Sequence, residues 1–221
     1  MPIRIPSFAR ITLLAATACL TSLVLAPEAA DAARACKQPS VSGGNRPVEP
    51  GRINQSLLNA AIAAQVNYLR CRKGLPQLSS QPRLRKVAEG HARWMARARN
   101  LTHNSNVPGK RTASARVIST GIDLRMGSEN IAKVSLYQLD GIRQFRISNA
   151  SACQFATQKG APIARHSYNT LAKYVAGLWY ESAKHRQNMM DPRAKMVGTA
   201  AGFDPKAQYC GQLYITQNLA G

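Results

Sequence analysis

The sequence predicts an α+β domain in which helices pack against an antiparallel sheet. Two observations carry this. Apolar residues recur every three or four positions in three long segments, and two strand candidates follow only near the C-terminus. There are no internal repeats, no Gly-rich phosphate loop and no heptads to suggest another class.

Residues 1–35 have the layout of a cleaved secretory signal. "MPIRIPSFAR" is a basic start with Arg4 and Arg10, and "ITLLAATACLTSLVLA" is an apolar run of 16 residues. "PEAADAARA" then offers A-x-A spacing at Ala30–Ala32 or Ala33–Ala35. At about 1.5 Å per helical residue the run nearly spans a bilayer, so a retained membrane anchor is the alternative. Around Cys19, "ATAC" places Ala16 where a lipobox prefers Leu, which argues against a lipoprotein. Residues 36–52, "CKQPSVSGGNRPVEPGR", are rich in Pro, Gly and Ser and are expected to be a linker. The domain proper is expected over 53–221.

Within it, Leu58, Ile62, Val66 and Leu69 mark a first helix that Gly74 can end. Pro82 can open a second, with Leu84, Val87 or Ala88, His91, Trp94 or Met95, and Ala98 along one stripe. Gly90 costs that helix about 1 kcal/mol against Ala, tolerable if another element must approach there. Asn100 is a natural stop. Residues 104–128 read as polar loops around a short element, and "SENIAKVS" as the start of a further helical turn. Residues 140–168 show no clear periodicity and look like an insertion. In "YNTLAKYVAGLWYESAKHRQNMMDP", Leu171, Tyr174 or Val175, Leu178 and Ser182 share a helical face, with Trp179 beside it and Pro192 ending the segment. "KMVGTAAGF" and "AQYCGQLYITQN", joined by "DPK", form a strand pair.

Of 30 Lys and Arg, three lie in the first 35 residues, as do two of ten Asp and Glu. The rest of the chain therefore carries 27 basic and eight acidic side chains, a formal charge of +19. Nucleic acid or an anionic envelope component, lipid or cell-wall polymer, suits that charge, and export favours the second. The basic residues are scattered, with no aromatic-interleaved strand or zinc-finger spacing, so no nucleic-acid partner is expected. Cys36, Cys71, Cys153 and Cys210 suggest two disulfides in an exported chain, and three pairings are open. Since Cys153 lies in the apparent insertion, one bridge is expected to tie that insertion to the rest of the domain. A secreted or periplasmic location follows, with no transmembrane helix after cleavage.

Several short motifs occur in order. Asn67, Arg70, Gly74, Leu75 and Leu78 give N-x-x-R-x-x-x-G-L-x-x-L, and Ala88, His91, Ala92 and Met95 give A-x-x-H-A-x-x-M. "LTH" carries His103, and "SENI" carries Glu129 and Asn130. Trp179, Ser182, His185, Arg186 and Asn188 give W-x-x-S-x-x-H-R-x-N; Val197–Gly198 and Thr216–Gln217 complete the set. Over residues 57–218 this pattern resembles the CAP superfamily (cysteine-rich secretory, antigen 5 and pathogenesis-related-1 proteins), above all its bacterial SCP-like extracellular branch. The resemblance implies an α-β-α sandwich with a central antiparallel sheet and a cleft carrying two histidines and acidic groups. It maps His103, Glu129 and His185 to that cleft as the candidate metal-binding set, with a weakly bound divalent cation such as zinc. Plant and animal members have a glutamate where this chain has Ser182, and a histidine where "CGQ" carries Gln212. Glu181, one position earlier, is turned about 100° around a helix. Ser128 replaces the glycine before Glu129.

On chemical grounds, two imidazoles and a carboxylate can hold a divalent cation with water filling the remaining positions. They can equally pair a histidine with an orienting carboxylate as a general base, or tie helices to a sheet as a buried polar network. Ser182, one turn before His185, is the candidate nucleophile, but no catalytic residue is assigned. The expected function is an exported envelope protein that binds a lipid, anionic or amphipathic ligand in a His/Glu-lined cleft. The alternatives are an envelope hydrolase acting on peptide or cell-wall bonds, and a structural module with a weak divalent-metal site. His91 and Trp179 are expected in the core, His166 in solvent, and Asn67 and Arg70 as braces for local backbone.

Overall fold

The computed structural model describes residues 36–221. The expected signal segment, with Cys19, lies outside the described residues. Residues 36–52 contain only a short 3-10 turn (Pro50–Arg52) and are strapped onto the domain. Cys36 is bonded to Cys71, Val48 is buried, and the Val48 amide donates to the His166 carbonyl.

Helix α1 (Gln55–Cys71) is capped by Asn54, whose side chain accepts from the Leu57 amide. It buries Leu58, Ile62 and Val66, the expected stripe. Asn67 and Arg70 act as the braces that were expected. Asn67 exchanges two hydrogen bonds with the backbone of Leu78, and the buried Arg70 donates to the carbonyls of Pro76, Met189, Asp191 and Ala194. After strand β1 (Ser79–Ser80), helix α2 (Pro82–Ala98) begins at its proline and buries Leu84, Val87, Ala88, His91, Ala92 and Met95. Nothing approaches Gly90. The close approach comes from the facing strand instead. A Cβ on Gly198 or Gly202 would collide with the Arg85 nitrogen or the Ala92 oxygen, so these glycines let α2 sit directly on the sheet.

Helix α3 (Ala113–Ile118), capped by Thr112, is the short element inside the polar stretch. "SENIAKVS" is strand and not helix. Strand β2 (Gly127–Ser135) pairs antiparallel with β7 (Gln212–Ala220) along its whole length. Both its faces are buried at Asn130–Ala132, so it lacks the alternation that marks a half-exposed strand. Strand β6 (Met196–Asp204) completes a sheet of order β1-β6-β7-β2, antiparallel except for β1. Residues 205–211 join β6 to β7, a longer connection than "DPK".

Residues 140–168 hold a second sheet, β3 (Phe145–Asn149), β4 (Gln154–Thr157) and β5 (Pro162–Ile163). Leu139, Phe155 and Ile163 form its own small core. The Cys153–Cys210 disulfide fastens it to the β6–β7 connection, as expected for that bridge.

The apparent single helix after residue 167 is two. Helix α4 (Tyr168–Glu181) ends at Ser182, whose extended backbone (φ −77°, ψ 120°) turns the chain into α5 (Ala183–Met189). Its buried face is Leu171, Ala172, Val175, Ala176 and Trp179; Leu178 points outward. Helices α1 and α4 cover one face of the main sheet through Ala132, Val134, Val197, Leu213 and Ile215. Helix α2 covers the other, where Met95 and Ala96 meet Ile131 and Tyr214. The fold is the α+β arrangement of helices on both sides of a central sheet.

Candidate functional site

The site is built at the start of the edge strand β2. Strand pleating turns successive side chains to opposite faces. Ile131 therefore meets α2 while Ala132 meets the α1–α4 layer, and Glu129 shares the face of Ile131.

The Glu129 side chain is wholly buried. Both oxygens are engaged. Arg116 Nε donates to Oε2 at 2.9 Å and Arg116 Nη2 donates to Oε1. His103 Nδ1 donates to Oε1 at 2.9 Å. Arg116, also buried, donates further to the carbonyls of Lys110 and His103 at 3.0 and 2.7 Å. One guanidinium thus holds the loop before α3 over the carboxylate. Burial pushes the Glu129 carboxyl up, but the hydrogen bonds from His103 and Arg116 outweigh it, and the group stays below the usual carboxylate range.

A carboxylate can only accept, so Nδ1 of His103 carries a proton and Nε2 is left facing away from Glu129. The His103 side chain is 47% exposed, unlike every other member of the cluster named so far. Behind it, His91 Nε2 meets the Thr102 carbonyl at 2.8 Å and stands 3.9 Å from Glu129 Oε1. Burial holds His91 below its ordinary value despite the nearby Glu129 charge. It is the core histidine expected, stacked on Trp94.

His185 reaches the site from the other face of β2. Asn130 Nδ2 donates to the His185 carbonyl and to Gln217 Oε1, each at 3.2 Å. Asn188 Nδ2 donates to the Glu129 carbonyl at 3.2 Å and to Asn130 Oδ1 at 2.8 Å. These bonds fix α5 against the strand. Burial, and then the charge of His103, hold the His185 imidazole below its ordinary value. Each ring therefore lies within the other's electrostatic reach, although none of the observed hydrogen bonds joins the His185 ring to His103 or Glu129.

Two sequence expectations change here, for Ser182 and His166. Ser182 sits at the break between helices, not one turn before His185 on a continuous helix, and it makes no observed bond to that ring. Glu181, as its turn around the helix implied, is away from the cluster and lines a pocket beside α4. His166 is buried rather than solvated. Arg116 is the functional residue that sequence reasoning missed. Nothing marked it among 27 basic side chains except its place just inside a Thr-capped turn.

These residues do not fit a resident divalent cation. Glu129 already has a guanidinium on it, which leaves only the imidazoles of His103 and His185 as donors. Catalytic zinc sites use about three protein ligands. Among the described residues no group of three His, Cys, Asp or Glu is arranged to hold a metal ion. Of the cluster on Glu129, the His103 side chain is the part open to solvent, while Arg116 and His91 are buried.

The model of the CAP, or cysteine-rich secretory protein, family matches residues 63–219. The chain belongs to the CAP family. An extracellular protein containing an SCP domain from Bacillus anthracis is 20% identical, with 79% of this chain and 44% of that chain covered and a TM-score of 0.50. An outer surface protein of Borrelia burgdorferi is 15% identical over 73% of this chain and 90% of that one, with a TM-score of 0.48. A cysteine-rich secretory protein of Staphylococcus aureus is 14% identical over 79% and 40%, with a TM-score of 0.42. At such identities the likeness is one of fold, and this CAP chain spans less than half the length of the Bacillus protein. No curated protein matches it.

Proposed function

We propose that this CAP domain is an exported binding module whose His103–His185 face takes the anionic headgroup of an amphipathic envelope ligand. The observation that carries the reading is the division of labour around Glu129. Arg116 neutralises the carboxylate from inside, and Glu129 accepts from His103 Nδ1, so the imidazolium form of His103 turns its Nε2–H away from the carboxylate. An anion approaching that face meets the Nε2–H of that imidazolium in a strongly basic chain, and the one nearby carboxylate is already spent. Two disulfides and the secretory family support export. So does the likeness to the extracellular Bacillus protein.

The hydrolase alternative draws on the same oriented histidine, since a carboxylate-held imidazole is the form a general base takes. It lacks a nucleophile, because none of the observed hydrogen bonds joins a Ser, Thr or Cys side chain to His103. A divalent cation is a weak guest of His103 and His185 in this reading, not a resident cofactor.

The test is a titration of the labelled mature chain with dodecyl phosphate below its micelle threshold, read at backbone amides. Shifts centred on Thr102–Asn104, Asn130 and Lys184–Arg186 are expected, weakening with salt as screening closes to about 8 Å at physiological ionic strength. Shifts spread evenly over the basic surface would refute the site.

A further inference from the structure

A pocket of about 690 Å³ lies between the outward face of α4 and the segment leading into the small sheet. Lys173, Tyr174, Leu178 and Glu181 line it from α4, and Asp140 and His166 from the opposite side. It shares no residue with the His103 cluster.

Its charge runs against that of the molecule. Among the described residues, Glu49, Glu89, Glu129, Asp191 and Asp204 each lie within 4.0 Å of an arginine nitrogen. Asp123, Asp140 and Glu181 do not lie in any such pair, even with 27 basic side chains available. Two of those three carboxylates share this pocket. Asp140 is held in place by the Ser135 amide at 2.7 Å and the Ser135 hydroxyl at 3.2 Å. Lys173 is the pocket's only formal positive charge and pairs with neither carboxylate, so the lining is negative overall. Burial and then the charges of Asp140 and Glu181 push the Tyr174 phenol up, which marks the negative potential at its hydroxyl.

His166 adds a feature independent of charge. His166 lines the pocket but is only 3% exposed. Its Nδ1 meets Thr170 Oγ1 at 3.2 Å, while Nε2 is buried with no protein partner. Burial pushes this imidazole down to about 4, so the ring is neutral at physiological pH and does not repel a cation. Buried polar atoms are nearly always satisfied, and an orphan at a pocket lining calls for a polar guest. The walls are also apolar enough to hold a body. Leu178 is 39% exposed, Tyr174 offers a ring, and Gly177 leaves open space where a Cβ would stand.

We propose that this pocket binds an organic cation, an ammonium group carried on an apolar body. The ammonium lies toward Asp140 and Glu181, and the body rests on Tyr174 and Leu178. Cation–π attraction from Tyr174 adds to the two carboxylates. The two faces of the molecule then sort ligands by sign, with anions at His103 and cations at α4.

Phenethylammonium is the probe, with 3-phenylpropan-1-ol as its neutral analogue and 3-phenylpropanoate as an anion. Amide spectra of the mature chain are followed during each titration. Saturable shifts at His166 and at Lys173–Glu181 are expected with the ammonium only. Glu181→Gln, at the exposed end of α4, is expected to weaken binding roughly fivefold, as loss of one solvent-facing charge does. Asp140→Asn tests the second carboxylate, with amide dispersion showing that it folds. Equal binding of the neutral analogue, unchanged affinity in both variants, or no shift at millimolar probe would each overturn the proposal. Failure of dodecyl phosphate at His103 leaves this outcome unaffected, because the two sites share no residue.

Discussion

Arg116 and Glu129 meet through two parallel hydrogen bonds, with both side chains buried. A bidentate guanidinium–carboxylate pair is the strongest form of such contact. Removing one member of a buried pair leaves an uncompensated charge in the interior. Arg116→Met is expected to lower unfolding free energy by about 3–5 kcal/mol in urea denaturation at neutral pH. Arg116→Lys should recover only part, since an ammonium cannot reproduce the fork or reach the Lys110 and His103 carbonyls together. A loss below about 1 kcal/mol for Met would show that the pair is not what holds the loop.

Glu129→Gln separates orientation from ligation. The variant keeps the shape and removes the charge, and is expected to cost at least about 1–3 kcal/mol because Arg116 is left partly unpaired. Calorimetric zinc titration near neutral pH is expected to show no tight site in either protein. A tight wild-type site that the variant abolishes would make Glu129 a metal ligand and contradict the geometry.

His166 predicts a pH dependence. Its folded value of about 4 lies below its ordinary 6.5. As pH falls below 6.5 the unfolded chain binds a proton that the folded chain refuses. Stability present at neutral pH is therefore lost between about 6.5 and 4, by about 3 kcal/mol for this residue. His91 and His185 are displaced in the same direction and add to the loss. Denaturant curves across that range should be flatter for His166→Gln than for wild type. Equal slopes would mean that the ring is not held neutral.

The disulfides give a chemical test. With Cys36–Cys71 and Cys153–Cys210 both formed, the mature chain is expected to show no labelled thiol under denaturing conditions. Cys153→Ala frees the small sheet from the β6–β7 connection and should cost about 2–4 kcal/mol or less. Protease cuts should fall in residues 145–163 before the main sheet is touched.

Much of this fold was legible because burial was one-sided. Helices α1 and α2 show a clean period, since each has one face in the core and one in water. Strand β2 was illegible because neighbours on both faces bury Asn130 to Ala132, which erases the alternation. The break at Ser182 left no Gly or Pro to announce it; the bonds that Asn130 and Asn188 make across to β2 fix α5, and those are tertiary. His103 and Glu129 were visible as polar residues in short motifs. Arg116 was not, because one arginine in a basic chain looks like any other until its carboxylate is known. His166 misled for the opposite reason. Its ring meets Thr170 and Tyr174 of α4, and its backbone is bonded to Leu136 and Val48, contacts that no sequence period announces.

Glu129 accepts from Nδ1 of His103 so that the imidazolium presents Nε2–H to an anionic ligand. Long-range proton–nitrogen correlation of the imidazole rings tests it most directly. In the ligand-free chain His103 Nδ1 is expected to carry a proton toward Glu129, and dodecyl phosphate is expected to fix a second proton on Nε2. An unprotonated Nδ1 in the free chain, or an Nε2 signal indifferent to the phosphate while the basic surface responds, would contradict the account.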